Sequence, residues 1–176
     1  MKSSVVTVLA FWLSVLVVPA AQAQNAPAVP QKLIAKALEQ PECTVSPKEA
    51  ADSVELADLG KGLKLVTISC WRAAYNFGSV LFALNPAAPE KARLLSFQIY
   101  SRKKFVRTYQ LSNADYDEKK RMLSSLHKGR GVGDCGSIGA WKWTGTDFKL
   151  TGYWFKEDCD GMPFDGEKKW RVFPRW

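Results

Sequence analysis

His127 is the single histidine of the chain, so any imidazole chemistry must pass through it. Ser124 and Ser125 stand just before it and Asp134 just after, which supplies the three residue types of a nucleophile, base and acid system. Neither serine lies in a Gly-x-Ser-x-Gly elbow. Asp158 with Asp160, and Glu157 with Asp165, offer carboxylate pairs of the kind glycoside hydrolysis needs. They fall in a turn-like stretch containing Gly and Pro, where solvated carboxylates are the expectation. No motif required for hydrolysis is present, so the expected answer to whether this is an enzyme is no.

The run Gly129-Arg130-Gly131-Val132-Gly133-Asp134-Cys135-Gly136 has two readings. In one, successive backbone N–H groups and Arg130 cradle an anion. In the other, favoured here, it is a tight crossing that needs positive φ at several glycines and is pinned by Cys135. It is not a P-loop, since no Lys-Ser or Lys-Thr follows, and it lacks the dinucleotide fingerprint, so no cofactor is expected. Arg102, Lys103 and Lys104, with Arg107, form a basic cluster. Lys119, Lys120 and Arg121 would extend it into one cationic face if the neighbouring hairpins pack side by side. The plainer reading is charged turns that blunt exposed edges. Arg102, Lys103, Lys104 and Arg130 are the candidate anion-binding residues.

Four cysteines, Cys43, Cys70, Cys135 and Cys159, read as two disulfides in an exported protein. Of the three possible pairings, Cys43–Cys70 and Cys135–Cys159 are favoured because each closes a local loop. Each would contribute on the order of 3 kcal/mol through loop closure. A metal site fails on spacing, because there is no Cys-x-x-Cys pair and only one histidine. A redox pair fails for the same lack of Cys-x-x-Cys.

Export is read from the N-terminus. Lys2 precedes an uncharged apolar run from Val5 to Val18, Pro19 breaks it, and Ala21-Gln22-Ala23 has the small-x-small form of a cleavage site. The run is short for a membrane span, and no cysteine stands where a lipid anchor would need one. Cleavage near Ala23 would remove 23 of 176 residues and leave 153, enough for one domain. Lys2 is the only charge removed, so +7 of the formal +8 would remain. The expected location is the periplasm or the outside, with no transmembrane segment after cleavage. The expected partner there is an anionic envelope polymer or an envelope protein, not nucleic acid. Oligomeric state is not legible.

These residues need elements to hold them. Residues 24–31 read as a mobile lead and 32–176 as one globular domain. Leu33, Ile34, Ala37 and Leu38 have helical spacing within Gln31 to Gln40, ahead of Pro41. From Leu56 the pattern turns to short strands. Val66, Ile68 and Cys70 alternate onto one face. Ser79 to Leu84 is apolar nearly throughout and reads as a central strand. Leu94 to Tyr100, Phe105 to Leu111 and Lys169 to Phe173 are further strands. Trp141-Lys142-Trp143 and Phe148-Lys149-Leu150 flank Thr144–Asp147 as the clearest hairpin, with both tryptophans on one face and expected in the core. Ala114 to Lys128 fits either a helix or a strand–turn–strand. The fold class is α+β: mostly antiparallel sheet built of hairpins, one short N-terminal helix and two local disulfides.

Cys70-Trp71-Arg72-Ala73-Ala74-Tyr75-Asn76, the Gly-Arg-Gly-x-Gly-Asp-Cys-Gly run, the Trp141–Leu150 hairpin, Cys159-Asp160-Gly161 and Trp170 occur in an order that resembles the exported bacterial domain-of-unknown-function family 1176. The resemblance covers roughly residues 42–176. It implies strands around Tyr116 and Leu123, hence strand–turn–strand for the ambiguous segment. It also implies a longer preceding region that this chain mostly lacks, and it implies no activity. The leading expectation is a binding or interaction module. A protein inhibitor of a hydrolase is the second, and an uncharacterised envelope enzyme the third.

Overall fold

The computed structural model describes residues 29–164 and 168–174. The expected signal peptide, its cleavage site and most of the lead lie outside them. Gln31, read as the end of the lead, opens helix α1 (Gln31–Leu38), which buries Leu33 and Ala37. A second helix, α2 (Pro47–Asp52), departs from the expectation of one. Its start is a capping box: Ser46 Oγ accepts from the Glu49 N–H at 3.3 Å, and the Glu49 carboxylate accepts from the Ser46 N–H at 2.8 Å. Pro47 occupies the first helical position, where its missing N–H costs nothing. Ser46-Pro47-Lys48-Glu49 was a legible signal for it.

The strands follow in chain order: β1 (Glu55–Gly60), β2 (Leu63–Arg72), β3 (Phe77–Leu84), β4 (Arg93–Leu94), β5 (Phe97–Ser101), β6 (Lys104–Thr108), β7 (Gln110–Ser112), β8 (Ala114–Asp117), β9 (Met122–Lys128), β10 (Gly136–Trp143), β11 (Phe148–Lys156) and β12 (Arg171–Phe173). The first sheet runs β1-β2-β3-β4, and β7 shares with β4 the free edge of β3. The second runs β12-β11-β10-β9-β8, and β5–β6 is a separate hairpin. All pairings are antiparallel.

The first sheet is the middle of three layers. Val66, Ile68 and Cys70 of β2 and Val80, Phe82 and Leu84 of β3 meet Leu33, Ala37 and Ala50 of the helices. On the other face, Leu65, Leu81 and Ala83 meet Leu123, Trp141, Trp143, Phe148 and Leu150 of the second sheet. Burial on both faces explains why β3 is almost wholly apolar. Trp141 and Trp143 are core residues, as expected. A Cβ on Gly139 would lie 2.1 Å from the Trp141 indole, so the glycine is the floor on which that ring rests.

Three expected strands come out differently. Leu94 to Tyr100 is two strands, because the chain bends at Leu95 and Ser96 and the Leu95 N–H donates to the Leu81 carbonyl at 2.9 Å. Phe105 to Leu111 divides at Tyr109, where the chain leaves the hairpin for the first sheet. Lys169 to Phe173 opens as a single 3-10 turn, Lys168–Trp170, before β12. The ambiguous segment is β8, a turn and β9, with Tyr116 opposite Leu123. The disulfides are Cys43–Cys70 and Cys135–Cys159, as favoured. The first fixes the α1–α2 connection to β2, and the second joins the start of β10 to the segment after β11.

The two sheets are tied through one amide. Asn76 is 4% exposed. Its Nδ2 donates to the Lys128 carbonyl at 2.9 Å, and its Oδ1 accepts from the Lys128 N–H at 3.0 Å and from Asn113 Nδ2 at 3.0 Å. The side chain thus acts as a strand edge for the end of β9. Asn113, at φ 44°, also donates to the Leu126 carbonyl at 2.8 Å and accepts from the Phe77 N–H at 3.0 Å. Asn76→Ala leaves buried backbone groups unsatisfied and is expected to cost about 2–4 kcal/mol in chemical denaturation. Asn76→Asp sets a carboxylate oxygen against the Lys128 carbonyl. It should be destabilised at neutral pH and recover part of the loss on acidification, which Asn76→Ala should not.

Candidate functional site

The β5–β6 turn has two residues, with Ser101 opposite Lys104. Arg102 and Lys103 fill it at φ 49° and 62°, the pattern for which Asn-Gly is the favoured pair. A left-handed backbone costs an L-residue roughly 1–2 kcal/mol. The similar β1–β2 turn uses Lys61 and Gly62, which relieves one of the two positions. Arg102, Lys103 and Lys104 are exposed and, among the described residues, make no ion pair. The hairpin packs on the second sheet: Tyr100 meets Phe155 at 5.6 Å between ring centroids, and Phe105 meets Tyr153 at 6.0 Å.

Behind the tip lies a cleft of about 310 Å³. Arg102 stands on its lining. Gln110, Ser112, Ser125, His127, Ser137 and Tyr153 supply polar atoms, and Tyr100, Leu111 and Phe155 supply apolar wall. Among the described residues, no carboxylate lines it. Ser112 Oγ is 3.0 Å from His127 Nδ1, and Ser125 Oγ donates to the Ser112 carbonyl at 2.8 Å. Gln110 is held by the Trp71 indole N–H at 2.9 Å. Partial burial pushes the His127 pKa below its ordinary value, which favours the neutral ring. Burial pushes the Tyr153 hydroxyl up, so it remains a hydrogen-bonding phenol. Ser112 was missed in the sequence because β7 and β9 meet only in the fold.

Arg130 does not join this group. Its Nε donates to Asp134 Oδ1 at 2.7 Å and its Nη2 to Oδ2. Asp134 is 5% exposed and also accepts from the Gly161 N–H at 2.6 Å. The Gly-rich run therefore already holds an anion, its own carboxylate, and is a crossing pinned by Cys135–Cys159. The steric reading is supported there. Gly136, at φ 127°, has no room for a Cβ, which would lie 1.9 Å from the His127 carbonyl. Nearby, the buried Lys156 Nζ donates to Asp160 at 2.5 Å and to the Met162 carbonyl at 2.8 Å, and stands 5.1 Å from the Trp170 ring centroid. These bonds organise the segment after β11. Asp134, Cys135 and Cys159 cluster closely, but both thiols are in the disulfide and leave no metal-ligating thiolate.

The hydrolytic candidates do not converge. Ser124 and Ser125 face opposite ways on β9, Ser124 Oγ donates to the Asp115 carbonyl at 3.4 Å, and Asp134 is engaged by Arg130. Asp160 is paired with Lys156, and Asp165 lies outside the described residues. Lys119, Lys120 and Arg121 form the β8–β9 turn, beside Asp58 of β1 and Trp143 of β10. The cleft and the Arg102 turn sit at the other end of β9, by His127, so the two basic clusters do not make one face.

A three-layer β-rich domain with two local disulfides is the class this architecture defines. Its sequence matches the family described as Protein of unknown function (DUF1176) over residues 7–175, and the chain belongs to that family. It is similar to the uncharacterized protein YpfG of Escherichia coli (strain K12), with 30% identity over 119 residues. That match takes 67% of this chain and 34% of YpfG, so the chain spans about a third of the relative's length. No solved structure matches. No helix among the described residues is long and apolar enough to cross a membrane.

The Asp134 pair has a pH signature. Hydrogen bonds from Arg130, then from the Gly161 N–H, hold its carboxyl well below the usual carboxylate range. Its folded pKa lies below the unfolded one, so its stabilisation is complete above that range and is lost as pH falls through the depressed value. Asp134→Asn should lower the melting temperature by several degrees at neutral pH and flatten its fall in acid, read by circular dichroism melts across pH.

Proposed function

We propose that the protein acts in the bacterial cell envelope, after loss of residues 1–23, as a binding module and not an enzyme, and that the β5–β6 tip contacts an anionic envelope component. The observation that carries this reading is the tip itself. Two long cations occupy left-handed positions where Asn-Gly would be more stable. Backbone strain retained at an exposed site points to a role for those side chains. Arg102, Lys103 and Lys104 are exposed and available for a partner, whereas Arg130 is committed to Asp134. The two disulfides fit an oxidising compartment. The formal charge of +7 that remains of +8 after loss of Lys2 gives the long-range field the sign that draws anions.

The test is binding of the disulfide-bonded domain to vesicles carrying lipopolysaccharide. Affinity should fall steadily as salt rises. The double variant Arg102→Asn with Lys103→Gly should be more stable by about 1–2 kcal/mol. It should bind about thirtyfold more weakly, from roughly 1 kcal/mol per cation near an anionic surface. Unchanged affinity in that variant, or binding indifferent to salt, overturns the proposal.

A further inference from the structure

We propose that the cleft behind the tip is a subsite for one anionic sugar ring, a pyranose carrying a carboxylate or a phosphate, held by Arg102 and His127. The inference deepens the binding reading and rests on it for the sign of the ligand's charge.

The cleft's own charge agrees with that sign. Arg102 and His127 line it and, among the described residues, no carboxylate does, so an anion finds a cation there. Its volume of about 310 Å³ stands at the lower end of the range for small-molecule sites and suits a single ring. Its chemistry suits a sugar. Tyr100 and Phe155 give aromatic surface for the C–H face of a ring. The Ser112 and Ser125 hydroxyls each already make one internal hydrogen bond, which fixes their orientation and leaves acceptor capacity for ligand hydroxyls, whereas the Gln110 amide is taken up by the Trp71 indole N–H and the Pro41 carbonyl and serves as wall.

Ser112 sets the imidazole. Ser112 Oγ lies 3.0 Å from Nδ1, and in the arrangement proposed the hydroxyl donates, so that the proton of the neutral ring resides on Nε2, which is then a donor. The guanidinium of Arg102 adds a planar fork that matches a carboxylate or phosphate edge. The anchoring set thus comes from two strands and one turn. β7 supplies Ser112, β9 supplies His127, and the β5–β6 turn supplies Arg102, so the subsite exists only once the hairpin has docked on the second sheet.

Because His127 is the single histidine, its imidazole proton resonances report the cleft without assignment of the rest. The titrants are D-glucuronate, D-glucose 6-phosphate, D-glucose and inorganic phosphate, added to the disulfide-bonded protein at fixed pH and salt. Saturable His127 shifts are expected with glucuronate, glucose 6-phosphate or both, at affinity at least about tenfold above that for glucose and for inorganic phosphate. The first two arms distinguish a carboxylate source from a phosphate source. Calorimetry should show binding of the effective sugar weakened about tenfold in Arg102→Gln and in His127→Gln, and unchanged in Lys119→Gln, an exposed residue of the β8–β9 turn at the other end of β9. No shift with either anionic sugar overturns the proposal. So does inorganic phosphate binding as well as the sugars, or Lys119→Gln weakening binding as much as Arg102→Gln. Lipopolysaccharide binding that persists while these titrations fail leaves the tip reading standing and removes the subsite alone.

Discussion

The Asn76 side chain is the joint on which the arrangement depends. It stands where the chain enters β3 and hydrogen-bonds both the N–H and the carbonyl of Lys128, where β9 ends. One amide thereby continues the backbone ladder from one sheet to the other. A buried amide in that role is favourable only when all its partners are present, which ties its geometry to Asn113 and to the β7–β8 connection. The cleft lies between these points. Ser112 precedes Asn113, and His127 precedes Lys128. Their 3.0 Å approach follows from the clasp beside them and not from any local propensity of β7 or β9.

Much of the fold was legible because burial leaves a periodic trace. β3 has apolar residues on both faces since helices cover one and the second sheet covers the other. The Trp141–Trp143 strand alternates because only one of its faces is covered. The disulfides were legible from chain order, as each joins neighbours across a local loop. What escaped were positions at which the chain changes partner. Leu95 and Tyr109 lie inside apolar runs, yet each marks a departure from one sheet to another, and hydropathy does not record which sheet a strand joins. Helix α2 was hidden by its shortness, although its capping box was on display.

The candidate site was less legible for a related reason. His127 stood out by being alone, but its partner Ser112 lies on another strand and no spacing rule connects them. The serines beside it in sequence are poor partners, because alternation sends Ser124 to the opposite face of β9, and Ser125, on the same face as His127, donates its hydroxyl to the Ser112 carbonyl. Adjacency in a strand separates side chains, while register brings them together.

Charge availability, finally, is a matter of partners more than of count. Arg130 and Arg102 look equivalent in the sequence, each a cation in a turn-forming stretch. In the fold Arg130 faces the buried Asp134 four residues on, so its charge is largely internal to the domain. Arg102 sits on a turn, and among the described residues no carboxylate lines the cleft beside it. The same principle separates Lys156, enclosed by Asp160 and the Met162 carbonyl, from Lys103 and Lys104 on the surface. A cation whose folded neighbours leave it unmatched retains its electrostatic free energy for something outside the chain. That contrast, more than the net charge, is what supports the proposal of a binding surface at the β5–β6 tip.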